Sequence, residues 1–164
     1  MPAIKGDGLI FETEAMASAM LLSGRPQLKL SLSIDTPDAD IRVRLFAVTP
    51  DGQSILLGRD RIRARYRTSA AEARLSTPNR IEPYVFDGFP FTSRILGPGE
   101  RLRLVIDTPA SAHDSRNFNS GGVVAEETLA DARRAIITLV SGGKDGSSLW
   151  LPIQPHPATS PSAD

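Results

Sequence analysis

The sequence predicts an all-β fold: two antiparallel sheets packed as a sandwich of jelly-roll type. Three observations carry this. Several short segments alternate apolar and polar side chains with a period of two, the mark of a strand buried on one face only. Turn formers separate those segments, for the 164 residues include 13 glycines and 13 prolines spread along the chain. Two polar connections are too long for a simple meander but suit a chain that crosses between sheets.

Taken in order, Leu9 to Thr13 reads as a short first strand, and the Ala/Met/Leu-rich stretch after it as one turn of helix or an irregular crossing. Gly24-Arg25-Pro26 breaks the chain before the clearest strand, Gln27 to Ile34, where Leu28, Leu30, Leu32 and Ile34 face one way and Lys29, Ser31 and Ser33 the other. Asp35 to Asp40 is a turn. In the next strand Ile41, Val43, Leu45 and Ala47 point inward, with Arg42 and Arg44 outward. Pro50-Asp51-Gly52 supplies a turn, since proline fixes one dihedral and glycine accepts a positive one.

Ser54 to Gly58 returns as the hairpin partner, and Gly58 to Arg67 follows with Arg61, Arg63, Arg65 and Arg67 alternating with Ile62, Ala64 and Tyr66. The polar stretch from Thr68 to Pro83 is a crossing. Tyr84 to Phe89 resumes as a strand, and Leu96 to Glu100 turns into a strand with Leu102, Leu104 and Ile106 inward beneath Arg101 and Arg103. Pro109 to Gly122 is a long loop of turn formers. Glu126 to Arg134 has helical composition, while β-branched residues favour a strand from Ala135 to Val140, closed by Gly142-Gly143. Ser147 to Ile153 is the last strand. The expected organisation is a disordered leader over 1–8, one domain over 9–153, and a disordered Pro/Ser/Ala tail over 154–164.

Composition excludes several functions. With 19 basic and 19 acidic residues the chain has no net field for nucleic acid, and aromatic residues, at 5%, are too sparse for a base-stacking platform. There is no cysteine, so disulfides and thiolate metal sites are ruled out, and with two histidines no metal or other cofactor is expected. The opening residues lack a signal-peptide pattern and no apolar run approaches a membrane span, so the expectation is a cytoplasmic protein with neither membrane nor nucleic-acid partner.

Candidate catalytic groups are few. No Gly-x-Ser-x-Gly elbow occurs. His113, Asp114 and Ser115 are adjacent, and neighbouring side chains on an extended loop point apart, so they cannot line up as base, orienter and nucleophile. His156 lies between two prolines in the tail, where a general base cannot be held in place. Asp35, Asp38 and Asp40 lack the glycine and distal glutamate of a calcium loop and read as a solvent-facing turn. Asp145-Gly146 reads as a hairpin turn. Tyr84 and Phe86, near Phe89 and Phe91, fall on one face and read as core, while Trp150 suits either core or an interface. Asn117, Phe118 and Asn119 sit in the longest loop, where asparagines tolerate left-handed dihedrals and brace their own backbone. The arginines Arg42, Arg44, Arg61, Arg63, Arg65, Arg67, Arg101 and Arg103 all lie opposite inward apolar residues. They read either as a solvated face with weak carboxylate pairs or as a docking surface, where planar guanidinium groups fix an orientation.

Three segments in order resemble the C-terminal domain of the X-prolyl dipeptidyl-peptidase and cocaine esterase family of serine hydrolases. They are L-I-F-E-T-E-A-M through S-G-R-P-Q-L-K-L; then V-T-P-D-G-Q-S-I-L-L-G-R-D-R-I-R-A-R-Y-R; then G-P-G-E-R-L-R-L-V-I with R-N-F-N-S-G-G and S-S-L-W-L-P-I. The resemblance spans roughly residues 9–153. It implies a galactose-binding-like jelly roll that packs on a separate α/β-hydrolase domain, on the same chain or another, which carries the catalytic Ser, Asp and His. The hydrolase domain is missing from this sequence. The expectation is therefore a non-catalytic accessory domain, with no catalytic residue of its own and compatible with a homo-oligomer. On this reading Arg61, Arg63, Arg65, Arg67, Arg101 and Arg103 face the hydrolase, and Asn117, Phe118 and Asn119 edge its substrate cleft. The rival is a free-standing carbohydrate- or ligand-binding jelly roll, which normally presents exposed aromatic platforms that this composition lacks.

Overall fold

The computed structural model describes residues 8–109 and 115–156. Among them are eleven strands: β1 (Leu9–Glu12), β2 (Met20–Gly24), β3 (Gln27–Ile34), β4 (Asp40–Val48), β5 (Ser54–Arg63), β6 (Ile81–Phe86), β7 (Thr92–Leu96), β8 (Arg101–Asp107), β9 (Ile137–Leu139), β10 (Ser148–Trp150) and β11 (Ile153–Pro155). Two single 3₁₀ turns interrupt them, Ala64–Tyr66 and Leu129–Asp131.

The strands form a β-sandwich. One layer is the antiparallel sheet β1-β8-β4-β5. The other consists of two shorter antiparallel sheets, one in which β3 lies between β6 and the broken edge formed by β9 and β10, and one ordered β11-β2-β7. The alternation in β3 and β4 has the outcome the sequence predicts: Leu28, Leu30, Leu32, Ile34, Ile41, Val43 and Leu45 all meet in the main core with Tyr84, Phe86 and Phe89. Each such side chain contributes about 1.5–3 kcal/mol on burial, which is what fixes the register of both layers. A satellite core of Leu22, Ala47, Leu96 and Leu102 joins the β2 sheet to the first layer.

Connections run between layers as the long loops require. The chain leaves β5 in one layer and re-enters at β6 in the other. The last strand expected from sequence is two strands. Ser148–Trp150 pairs with β3, and Ile153–Pro155 pairs with β2. Leu151-Pro152 carries the chain from one sheet to the next, held by the Ser23 amide donating to the Pro152 carbonyl at 2.9 Å. Gly24 permits this crossing: its φ is +143°, and a Cβ there would lie 2.8 Å from the Pro152 ring. β11 continues to Pro155, beyond the expected domain end at 153, and the His156 amide donates to the Ala19 carbonyl at 3.0 Å. The proposed leader, apart from Gly8, and residues 157–164 of the proposed tail lie outside the described residues.

Further expectations need correction: the strand expected from Tyr84 to Phe89 spans Ile81–Phe86, shortening the crossing before it, and the one expected from Ala135 to Val140 is confined to Ile137–Leu139. Met20–Gly24 is a strand, not a helical turn, because β7 and β11 pair with it on both sides. Thr92–Leu96, unassigned from sequence, is that sheet's other outer strand. The arginine strand ends at Arg63, and Ala64–Tyr66 turns into the end of the sandwich. Arg65 and Arg67 therefore do not extend the outer face.

Candidate functional site

Because β4 lies between β8 and β5, the arginines of those three strands share one surface. The register sets Arg42 opposite Asp107 and Arg61, Arg44 opposite Val105 and Arg59, Phe46 opposite Arg103, Val48 opposite Arg101, and Asp40 opposite Arg63. β1 extends this face, with Ile10 opposite Val105 and Glu12 opposite Arg103. Like charges directly opposite each other repel, and carboxylates intervene. Asp107 accepts from Arg42 Nε and Nη2 at 2.8 and 2.9 Å and from Arg44 Nη2 at 2.6 Å. Asp40 accepts from Arg63 Nε and Nη2 at 2.8 and 3.0 Å. Arg103 pairs with Glu12. These forks raise the Arg42 and Arg63 pKa values above the ordinary arginine value, through the hydrogen bonds from Asp107 and Asp40 respectively. Arg44 also stacks on Phe46, 5.7 Å from the ring centroid. Arg59, Arg61 and Arg101 are exposed on the same face.

Arg65 and Arg67 do different work. Asp38 is fully buried, contrary to the solvent-facing turn expected for it. Its carboxylate accepts from the Arg65 backbone amide at 2.9 Å, from Arg65 Nε at 2.7 Å and from Asn117 Nδ2 at 2.9 Å. Arg67, with its side chain only 5% exposed, donates to Glu82 at 2.8 Å and to the Arg74 carbonyl at 2.6 Å. Beside them the Tyr84 phenol contacts Ser76 Oγ at 3.2 Å, and burial pushes its pKa upward against the pull of that hydrogen bond. Together these groups plug the end of the sandwich. A buried charge is tolerated only when paired and hydrogen-bonded, and every charge here has a partner.

Asn117 joins the plug to the outer face by donating to Asp40 at 2.9 Å as well as to Asp38. Asn119 adopts a left-handed φ of 63° and donates to the Arg133 carbonyl at 2.9 Å. Phe118 lies under Arg116, 5.0 Å from guanidinium to ring centroid. The loop is braced by its own asparagines and by Glu127, whose pKa is lowered by the Ser120 hydroxyl. A recess of about 590 Å³ opens beside Asp40 and Asn117 and is rimmed by Arg116, Arg133 and Arg134.

His113 and Asp114 lie outside the described residues. Among the described residues no group of three or more His, Asp or Glu side chains is placed to hold a metal ion, and no helix is long and apolar enough to cross a membrane. Tyr84, Phe86 and Phe89 are core, whereas Phe91 and Trp150 are about 60% exposed on separate segments. Sequence reasoning missed Asp38 as the anchor of Arg65. The available signal was spacing, for Asp38 and Asp40 stand two apart as Arg63 and Arg65 do, and the hairpin sets 40 against 63.

The family model described as the X-Pro dipeptidyl-peptidase C-terminal non-catalytic domain matches residues 4–149. The cocaine esterase of Rhodococcus sp. (strain MB1 Bresler) is 29% identical over 149 residues, covering 91% of this chain and 26% of that protein. Among solved structures, a selenomethionine-labelled α-amino acid ester hydrolase superimposes with a TM-score of 0.85 at 23% identity, over 92% of this chain and 26% of its own. An aminopeptidase from a marine sediment archaeon, Thaumarchaeota archaeon, gives 0.86 at 23% identity, over 93% and 26%. The chain thus spans about a quarter of the length of each of these relatives, and at that level of identity the two structures speak for a shared fold.

Proposed function

The chain belongs to the X-Pro dipeptidyl-peptidase C-terminal non-catalytic domain family, the non-catalytic part of cocaine esterase-like hydrolases, and from that premise we propose that it packs on and orients an α/β-hydrolase catalytic part. That part, on the same chain or another, performs the acyl-enzyme chemistry of a serine hydrolase.

The observation that carries this reading is the outer face of β1, β8, β4 and β5. It gathers Arg42, Arg44, Arg59, Arg61, Arg63, Arg101 and Arg103 against Glu12, Asp40 and Asp107, with Ile10, Phe46 and Leu56 among them. Guanidinium groups held in fixed forks and interleaved with apolar side chains fit a partner surface bearing carboxylates and backbone carbonyls. Arg61, Arg63, Arg101 and Arg103 are the contacts proposed here, whereas Arg65 and Arg67 support them from inside. The braced loop at Asn117, Phe118 and Asn119 lies beside this face and forms an edge of the partner's cleft.

The test has two parts. The purified chain is incubated with an activated ester and with an X-Pro chromogenic dipeptide, and it leaves both intact; turnover that survives repurification ends the reading. The chain is then titrated into a hydrolase catalytic part freed of its own C-terminal domain. A complex that weakens as salt rises is expected, since exposed charges are screened, and Arg61→Glu with Arg101→Glu weakens it further. Failure to form any complex contradicts the proposal.

A further inference from the structure

We infer that the open seam between β1 and the β9–β10 edge is a docking groove for an apolar segment of the hydrolase catalytic part. This rests on the packing reading above and names a second contact, distinct from the arginine face.

A sandwich normally closes its two layers along both sides. Among the described residues one side stays open. β1 is the outermost strand of its sheet, and β9 and β10 together form the outermost strand of the facing one. Leu9 and Phe11 turn toward the interior opposite Ile106 and Leu104, yet each is 43% exposed. Between the two edges lies a cavity of about 290 Å³ with Leu28, Leu30, Leu45 and Leu104 on its floor and Phe11 and Leu149 at its lips. A second cavity of about 610 Å³ shares Ile106 and Leu139 with the first and continues past Leu9. The leucines of the floor belong to the main core and are buried, so the seam is a shallow apolar groove laid over the core's edge.

The large apolar side chains at the lips, Leu9 and Phe11, are each left 43% exposed above a buried floor, and a contiguous exposed apolar patch marks a site covered by something else. β1 adds a second liability. Leu9, Ile10 and Phe11 are consecutive, large, apolar and all exposed, on a strand whose outer edge has no pairing strand among the described residues.

The occupant follows from the chain's relation to its relatives. They are about four times longer, and the matching family is a C-terminal domain, so in them the remaining polypeptide precedes this region. In such a relative the preceding polypeptide leads into this region on the N-terminal side of β1, the strand that forms one lip of the seam. The piece of partner nearest β1 is thus held at high effective concentration over the opening. Ile10 and Glu12 of the same strand lie on the arginine face, so one docked body covers both surfaces without a gap. The chemistry required is an extended or helical segment presenting leucine- or phenylalanine-sized side chains, because the floor is aliphatic.

Hydrogen exchange on the 164-residue chain, alone and mixed with the Rhodococcus cocaine esterase lacking its matching C-terminal quarter, tests this. Expected is slowed exchange in residues 9–13 and 137–149 on mixing, together with at least tenfold weaker binding for Phe11→Glu and for Leu149→Glu. Val85→Glu, on the exposed outer face of β6, binds as the unmodified chain does. Thermal melting of each variant alone shows whether it folds, and Phe11→Ser serves as the milder replacement where Phe11→Glu does not. A complex whose protection is confined to β4 and β5, or one indifferent to Phe11 and Leu149, overturns the seam and leaves the packing reading standing. The absence of any complex overturns both. Slowed exchange at the seam that depends on the concentration of this chain alone assigns the groove to a second copy and also overturns the inference.

Discussion

Replacing Asp38 by asparagine is the sharpest perturbation of the network behind the arginine face. The substitution keeps the shape of the side chain and removes its charge. In the native protein the carboxylate is wholly buried and receives the amide and Nε of Arg65 and the amide of Asn117, at 2.9, 2.7 and 2.9 Å. Without it the Arg65 guanidinium, itself only 10% exposed, loses the carboxylate that its Nε meets, while its buried Nη2 already lacks a hydrogen-bond partner among the described residues. Breaking a buried pair from one side costs about 3–5 kcal/mol. A domain of this size has about 5–15 kcal/mol to lose. With a urea m-value of roughly 2 kcal/mol per molar, the unfolding midpoint followed by far-ultraviolet circular dichroism should fall by about 2 M. The double variant Asp38→Asn/Arg65→Met should recover part of that loss, because removing both charges leaves nothing unpaired. A loss below about 1 kcal/mol in the single variant, or strict additivity in the pair, would refute the assignment of Asp38 and Arg65 as one buried unit.

Other consequences are checked in the same way. Asp107→Asn removes the acceptor shared by Arg42 and Arg44, and on this half-buried face it should cost about 1–3 kcal/mol in urea unfolding, less at high salt. Gly24→Ala places a Cβ against Pro152 at a positive φ and should lower stability by more than about 1 kcal/mol, read from the thermal midpoint, whereas Gly52→Ala, with open space around it, pays for its dihedral alone. Tyr84 has its pKa raised by burial, so its contribution is complete below the unfolded phenol's pKa of about 10 and is lost as pH climbs through the higher folded value. Tyr84→Phe should therefore flatten the decline of melting temperature above pH ~10 while costing about 1 kcal/mol near neutrality for the lost Ser76 contact.

Much of the sandwich was legible because its central strands have one wet and one dry face. β3, β4 and β8 each bury alternate residues, and a period of two is visible without any partner. β2 was not legible: M-L-L-S-G has the composition of a helix, and only pairing with β7 and β11, distant in sequence, makes it extended. β7 offers little pattern because a single residue of it, Leu96, is buried. At Arg65 the alternation misled. It persists through Arg67 in sequence, but the chain turns at Ala64, where the buried Asp38 captures the next guanidinium. Charge pattern reports which side chains prefer water and is silent about a carboxylate 27 residues away that offers something better. The arginine face was visible as a set of arginines, and only strand order could gather Arg42, Arg44, Arg61, Arg63, Arg101 and Arg103 onto one surface while removing Arg65 and Arg67 from it.

The most direct test of the accessory-domain account is sedimentation velocity of this chain mixed with a hydrolase part that lacks its own C-terminal domain, followed by an esterase assay on the separated peaks. The account predicts a co-sedimenting complex whose activity belongs to the hydrolase, with the free chain silent. Hydrolysis travelling with the free chain, or two species that never associate, would contradict it.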